Sequence, residues 1–140
     1  MKPFLLTLLA GALLSACATP PDPSPKAAPQ GEYVLDPAHA SVVWSLSHAG
    51  LSQYTARFDK ISGALDFDPE APENSRVDIV IDPLSVHTGL PEFDTTIATD
   101  SKYLDAENHP EIRFTSTSIQ VTGENTGLIT GDLTLRRVTK

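Results

Sequence analysis

The sequence has a single cysteine, Cys17, so an intramolecular disulfide is excluded, as is a metal site built from several cysteines. Basic residues are scarce as well: 10 Lys and Arg stand against 18 Asp and Glu, for a net charge of −8. Because contacts with phosphate backbones need clustered Lys and Arg, this balance argues against a nucleic-acid partner. A length of 140 residues is that of one domain.

Catalytic motifs are lacking too. The sequence contains no Gly-x-Ser-x-Gly elbow, no phosphate-binding Gly-rich loop and no His-Glu-x-x-His motif. The histidines, His39, His48, His87 and His109, form no pair at helical spacing, and isolated histidines usually lie at turns or core edges. We therefore predict a protein that is not an enzyme, with no catalytic residue, no metal ligand and no cofactor. A metal-dependent enzyme whose histidines meet across strands is the alternative.

The start of the chain has the form of a secretory signal. Met1 and Lys2 are followed by an apolar run over residues 4–14. A run of about eleven residues is too short for a membrane-spanning helix, which needs about 20, and matches the apolar region of a signal peptide. We predict a signal peptide over residues 1–16.

The end of this run resembles the lipobox of bacterial lipoproteins, where the cysteine sulfur receives a diacylglyceryl group. The residues are Leu14-Ser15-Ala16-Cys17, and we predict lipid attachment at Cys17. Ala18, rather than Asp, follows the cysteine, which by resemblance to enterobacterial sorting favours the outer membrane. The expected location is the bacterial cell envelope, with a lipid anchor holding the protein on the outer membrane, facing the periplasm.

A Pro-rich stretch follows the cysteine. Five prolines lie between Pro20 and Pro29. Because proline favours extended polyproline II structure, residues 17–30 are predicted to be the lipidated cysteine and a semi-rigid tether. A Pro-rich ligand for a partner protein is the alternative. The folded domain is then residues 31–140.

Apolar and polar residues alternate through most of this domain, which is typical of strands with one buried face. The strands are predicted near 31–35, 41–48, 53–59, 61–67, 75–82, 111–121 and 127–135. Ile112 and Phe114 are out of phase with Ile119 and Val121, so we predict a bulge over residues 116–118. Residues 91–109 have roughly helical apolar spacing and are predicted to form a short helix and a turn.

Short sequential strands with tight turns predict an all-β antiparallel barrel or a sandwich. A barrel of about eight strands can hold one small ligand. The predicted strands fall short of that number, and a strand lies close to Lys140, so we expect the barrel to be incomplete at its C-terminus. The large apolar residues share one face of the predicted strands. From periodicity alone, a packed core is a better explanation of this face than a ligand tunnel.

Several short motifs occur in order along the domain: Tyr33-Val34-Leu35-Asp36-Pro37-Ala38-His39-Ala40-Ser41-Val42-Val43-Trp44, His48-Ala49-Gly50, Ser85-Val86-His87-Thr88-Gly89, Tyr103-Leu104-Asp105, His109-Pro110-Glu111-Ile112-Arg113-Phe114-Thr115-Ser116-Thr117, Gly131-Asp132-Leu133-Thr134-Leu135 and Val138-Thr139-Lys140. In this order and spacing they resemble the YceI-like, polyisoprenoid-binding family. Departures from its pattern are Ala56 and Arg137, where glycine is usual, and Phe93-Asp94, where an Arg-Asp pair is common.

The resemblance implies a lipocalin-like barrel with a short helical crossing and an apolar channel for a polyprenyl or quinone tail. It implies a lipid-binding carrier whose partners are an isoprenoid or other long-chain lipid and the membrane. The predicted ligand contacts are the inward apolar residues Trp44, Leu46, Tyr54, Phe58, Phe67, Phe93, Ile97, Leu104, Phe114 and Leu133. The alternative is a structural or stress-related envelope lipoprotein with a packed barrel that acts through a protein partner; a homodimer is also open.

The lipobox generates a first test. Cys17→Ser should leave an unprocessed precursor or a soluble form, because two or three acyl chains hold a protein on a membrane and the variant receives none. Ser15→Ala, which keeps a small residue in the motif, is the matched control. Membrane fractionation and gel migration are the measurements, and a Cys17→Ser protein that behaves like wild type in both would refute the anchor.

Overall fold

A computed structural model describes residues 20–22 and 24–140. The predicted signal peptide and Cys17 lie outside the described residues. The helix of the fold is α1 (Pro91–Thr99), which lies between β6 and β7. The strands are β1 (Gly31–Val34), β2 (Val42–His48), β3 (Ser52–Phe58), β4 (Ile61–Phe67), β5 (Arg76–Ile81), β6 (Val86–His87), β7 (Ile112–Gly123), β8 (Thr126–Leu135) and β9 (Val138–Thr139).

The strands form two sheets. The larger sheet has the order β1-β4-β5-β7-β8-β9, and the smaller has the order β2-β3-β6. Every pairing within them is antiparallel. The seven strands that alternation predicted are all present, and the helix begins at Pro91 as predicted. The short strands β6 and β9 were not predicted, because two residues are too few to show a period.

The predicted bulge is confirmed. Ser116 pairs with Gly131, but Ser118 pairs with Thr130, so Thr117 is an extra residue on β7. Because the extra residue reverses the alternation, Phe114 and Ile119 point to the same face of the sheet. That face, with the facing side of the smaller sheet, is called the inner face below.

The core fills only part of the space along the inner face. Its buried residues come from both sheets and from α1: Phe58, Ile61, Ile81, Val86, Ile97, Ala98 and Ile112. Leu35, Val42, Trp44, Ile79 and Leu104 pack against this cluster and are partly buried. Further along the inner face the side chains are open to solvent, with exposed fractions of 48% for Leu46 and 44% for Leu133. The alternation of β2 therefore yields both a packed end, at Val42, and an open end, at Leu46.

Gly131 of β8 lies on the inner face, where close packing leaves no room for a side chain. A Cβ atom there would lie 2.5 Å from Cζ of Phe114 and would also clash with the carbonyl oxygen of Thr115. Gly131→Ala should therefore lower the free energy of unfolding by about 1–3 kcal/mol, the usual cost of overpacking. Asp132→Ala, on the other face of the same strand, is the control and should change stability little. Equal stabilities of the two variants in urea unfolding would contradict this packing.

Candidate functional site

Four aromatic rings connect the core to the helix. The ring centroids of Trp44 and Tyr54 are 6.2 Å apart, and those of Trp44 and Phe58 are 6.3 Å apart. Phe93 on α1 meets Tyr54 edge to face at 6.1 Å. We call Trp44, Tyr54, Phe58 and Phe93 the aromatic row. It forms because the first three residues occupy inward positions on the paired strands β2 and β3, where side chains of one face are neighbours.

Helix α1 lies across this row because both ends of the crossing are fastened. Pro91 starts the helix with a preset backbone angle, and Ile97 and Ala98 are buried in the core. The residues after the helix return to it: the amide of Leu104 donates to the carbonyl of Ile97 at 3.1 Å, and that of Ala106 donates to Ala98 at 2.9 Å. Phe93, one turn before Ile97, is left 37% exposed beside Tyr54.

Asp94 fastens the beginning of the helix to the strand β6. The amide and the hydroxyl of Thr88 both donate to Oδ1 of Asp94, each at 2.6 Å, and Nδ1 of His87 lies 3.6 Å from Oδ2. The hydrogen bond from the Thr88 hydroxyl is the largest influence on the pKa of Asp94 and lowers it. Burial raises this pKa, whereas the Thr88 amide and the charge of His87 lower it further. An ionised Asp94 thus holds the turn that positions Phe93.

The other predicted contact residues lie on the larger sheet. Phe114 and Leu133 are directly opposite each other on β7 and β8. Phe67 meets Tyr33 of β1 edge to face at 6.2 Å. Ile97 belongs to the core, Leu104 packs against it, and Leu46 pairs with Tyr54 across β2 and β3. The predicted set is thus divided between the aromatic row with its neighbours and the inner face of the larger sheet.

A pocket near the end of β8 contains Leu133, which was a predicted contact, together with residues that were not predicted. It has a cavity volume of about 500 Å³ and is lined by Leu133, Leu135, Arg136, Val138 and Lys140. Leu135 was in phase with Leu133 and could have been found from the alternation. Val138 could not, because the turn between β8 and β9 is formed by two arginines rather than by glycine or asparagine.

Two further observations concern residues 20–22 and 24–140. Within them, no three His, Cys, Asp or Glu side chains are grouped as a bound metal ion would require. The only α-helix in this part of the chain, α1, is too short to cross a membrane.

A model of the YceI-like domain matches residues 33–140. The chain is also 35% identical to a UPF0312 protein of Shewanella baltica over 142 aligned residues, which cover all of this chain and 70% of the relative. The chain belongs to the YceI-like family. This membership confirms the family resemblance inferred from the motifs.

Solved structures agree with the fold of this YceI-like chain. Burkholderia cenocepacia BcnA is 26% identical with a TM-score of 0.66, covering 75% of this chain and 65% of its own. The YceI protein of Campylobacter jejuni is 30% identical with a TM-score of 0.59, covering 77% and 63%. The chain therefore spans slightly less than two thirds of both solved chains. The predicted fold class, antiparallel β-structure of the lipocalin-like type with a short helical crossing, is confirmed.

The Asp94 contacts predict that the stability of the YceI-like domain depends on pH. The pKa of Asp94 lies below that of an unfolded aspartate, which is about 3.9, so its ionised form stabilises the fold above that pH. This stabilisation is lost as the pH falls through the folded pKa. Asp94→Asn should be less stable at neutral pH and should lose less stability on acidification than wild type.

Urea unfolding between about pH 6 and pH 3, across the ordinary aspartate range, measures this dependence. The control is Asp66→Asn on β4, whose carboxylate accepts no hydrogen bond from any residue the structure describes. A pH profile of Asp94→Asn parallel to that of wild type would show that the Thr88 contacts contribute nothing.

Proposed function

We propose that this YceI-like chain binds one isoprenoid-type lipid, such as a polyprenyl or quinone tail, along the open part of its inner face. The observation that carries the proposal is the exposure of two apolar side chains beside Tyr54: 48% for Leu46 and 37% for Phe93. Isolated exposed apolar residues are ordinary, but Leu46 and Phe93 are both neighbours of Tyr54: Leu46 pairs with it across β2 and β3, and Phe93 meets it at 6.1 Å. Adjoining exposed apolar side chains of this kind are typical of ligand sites. Membership of the YceI-like family supports the same ligand class.

Burial of the tail supplies the binding energy. Each CH₂ group removed from water contributes about 0.8 kcal/mol, so a long chain binds without any charged contact. The aromatic row offers flat, polarisable surfaces that suit the methyl-branched units of such a chain. A branched tail lying beside Phe93 and Tyr54 would cover the ring faces that the fold leaves exposed.

We further propose that the protein carries its lipid and does not transform it. Binding by burial uses no general acid, nucleophile, metal ion or cofactor. The histidine–carboxylate contacts in the described residues join side chains close in sequence: His39 lies 2.7 Å from Asp36, His87 lies 3.6 Å from Asp94 and His109 lies 3.7 Å from Asp105. The metal-dependent alternative has no donor cluster in the described residues to support it.

The proposed place of work is the periplasmic side of the outer membrane. The lipobox residues and the Pro-rich tether support this location, since a tethered domain beside a bilayer can exchange a lipid that is insoluble in water. Tyr33 donates its hydroxyl to the carbonyl of Pro29 at 2.6 Å, which fastens the end of the tether to β1. A carrier at this surface would shield an isoprenoid tail from water between the membranes.

Leu46→Trp distinguishes an open channel from a packed core. Since Leu46 is 48% exposed, the variant should change stability by less than about 0.5 kcal/mol without lipid, as at other open sites. The indole would occupy space proposed for the tail, so the variant should lose the stabilisation that lipid gives. That stabilisation is about 2.7 kcal/mol when the ligand is at 100 times its dissociation constant.

The measurement is thermal unfolding of delipidated protein with and without geranylgeraniol. Val43→Trp, at a 63% exposed position on the opposite face of β2, is the control and should keep the lipid-dependent shift. If wild type shows no shift and Leu46→Trp is strongly destabilised without lipid, the barrel is packed and the protein-partner alternative replaces this proposal.

A further inference from the structure

Two leucines project from the loops beside the open end of the inner face. Leu51 lies in the turn between β2 and β3 and is 91% exposed, and Leu90 precedes α1 and is 63% exposed. Each leucine comes three residues before one of two aromatic residues that are in contact, Tyr54 and Phe93. We call Leu51 and Leu90 the loop leucines.

Both loop leucines lie on the same side of the core. Towards its first residue, β3 runs from Phe58 in the core to Tyr54, and α1 runs from Ile97 in the core to Phe93. Since the rings of Tyr54 and Phe93 meet at 6.1 Å, the two elements are neighbours at that point. The loop leucines come next on each element, so they lie beyond the aromatic row at one end of the fold.

Backbone hydrogen bonds hold both loops. The amide of Leu51 donates to the carbonyl oxygen of His48 at 3.0 Å, which closes a tight turn. The amide of Leu90 donates to the hydroxyl of Thr88 at 3.2 Å, and its carbonyl oxygen accepts from the amide of Phe93 at 2.9 Å. Because ordered loops lose little conformational entropy on binding, both leucines are preorganised for burial against an apolar partner.

The smaller sheet contains no carboxylate. The chain has 18 Asp and Glu residues, yet none occurs in β2, β3 or β6 or in the turn that joins β2 to β3. The residues of these strands that can carry positive charge are His48, Arg57 and His87, of which Arg57 pairs with Asp59 and His87 with Asp94. An anionic bilayer repels the carboxylates of an acidic protein, so this sheet is the side that can approach such a surface.

We propose that the loop leucines insert into the surface of a bilayer that contains anionic phospholipids. The inference goes beyond the proposed function, because it assigns a membrane contact to the folded domain itself and not only to the lipid anchor at Cys17. Exposed leucine side chains gain free energy when they leave water, and their polar neighbours Ser52 and Gln53 can stay hydrated among the headgroups. In this orientation the open end of the inner face meets the lipid.

Fluorescent labels at single cysteines test the contact. The full chain carrying Cys17→Ser is labelled with the environment-sensitive fluorophore NBD at Leu51→Cys or, as the control, at Val34→Cys. Val34 is 85% exposed at the end of β1 in the larger sheet. Vesicles of phosphatidylethanolamine and phosphatidylglycerol with brominated acyl chains should quench the label at Leu51→Cys and shift its emission to shorter wavelength. The label at Val34→Cys should keep its aqueous spectrum. Both proteins share the same N-terminal residues, so a difference between them reports the orientation of the domain.

Variants measure what each feature contributes, with the label at Leu90→Cys as the readout. Leu51→Ser should lower the ratio of docked to undocked protein about tenfold or more, since the buried leucine is lost. Val34→Ser, the matched control, should leave the ratio unchanged. Gln53→Glu should lower the ratio about fivefold by placing a carboxylate beside the anionic surface, whereas Gln120→Glu on β7 of the larger sheet should not. All four positions are exposed, so the melting temperatures should stay close to that of the parent protein.

Each contrary result is distinct. An aqueous spectrum at Leu51→Cys while the protein sediments with the vesicles would overturn the proposal and leave the loop leucines for a protein partner. Equal quenching at Leu51→Cys and Val34→Cys would show adsorption without orientation and would overturn it as well. A spectral shift at Leu51→Cys that grows with protein concentration in the absence of vesicles would assign the loop leucines to a contact between two copies. None of these measurements uses geranylgeraniol, so the membrane contact and the proposed lipid binding can fail separately.

Discussion

The burial of Ile97 and Ala98 of α1 is the contact on which the rest of the structure depends. These residues meet Phe58 of the smaller sheet and Ile81 and Ile112 of the larger one in a single apolar cluster. The helix therefore holds the two sheets against each other at this end of the fold. Without that contact, the inner faces would have no fixed separation and no space of defined width would lie between them.

Packing and the proposed lipid binding involve different parts of one apolar surface. Phe58 and Ile97 are almost fully buried, at 6% and 7% exposure, and they serve the core. Leu46 and Leu133 continue the same faces but remain nearly half exposed. On the proposed function, a substitution at Leu46 would change lipid binding without removing the packing that keeps the protein folded. The aromatic row joins the two parts, since it runs from Phe58 in the core to Phe93 at the open end.

Alternation was enough to predict the long strands and the bulge at Thr117, and helical apolar spacing was enough to predict the position of the helix. Alternation could not separate buried positions from exposed ones, because Phe58 and Leu46 obey the same inward pattern on adjacent strands but are 6% and 48% exposed. That difference depends on which other elements of the fold pack over each side chain, and sequence periodicity carries no information about such tertiary contacts. The contact of Asp94 with Thr88 was missed for the same reason, since hydrogen bonds across a turn leave no periodic signal.

The hydrogen bond from Tyr33 to Pro29 affects how far the domain can lie from the proposed lipid anchor at Cys17. The predicted tether is not extended polyproline II at its end, because Pro25–Ala27 form a 3-10 helix and Lys26 lies 3.8 Å from Glu70. Together with the Tyr33 contact, these features fold the end of the tether against the domain. On the proposed anchor, this folded-back end would hold the domain closer to the membrane, by its β1 edge, than an extended tether of the same number of residues would.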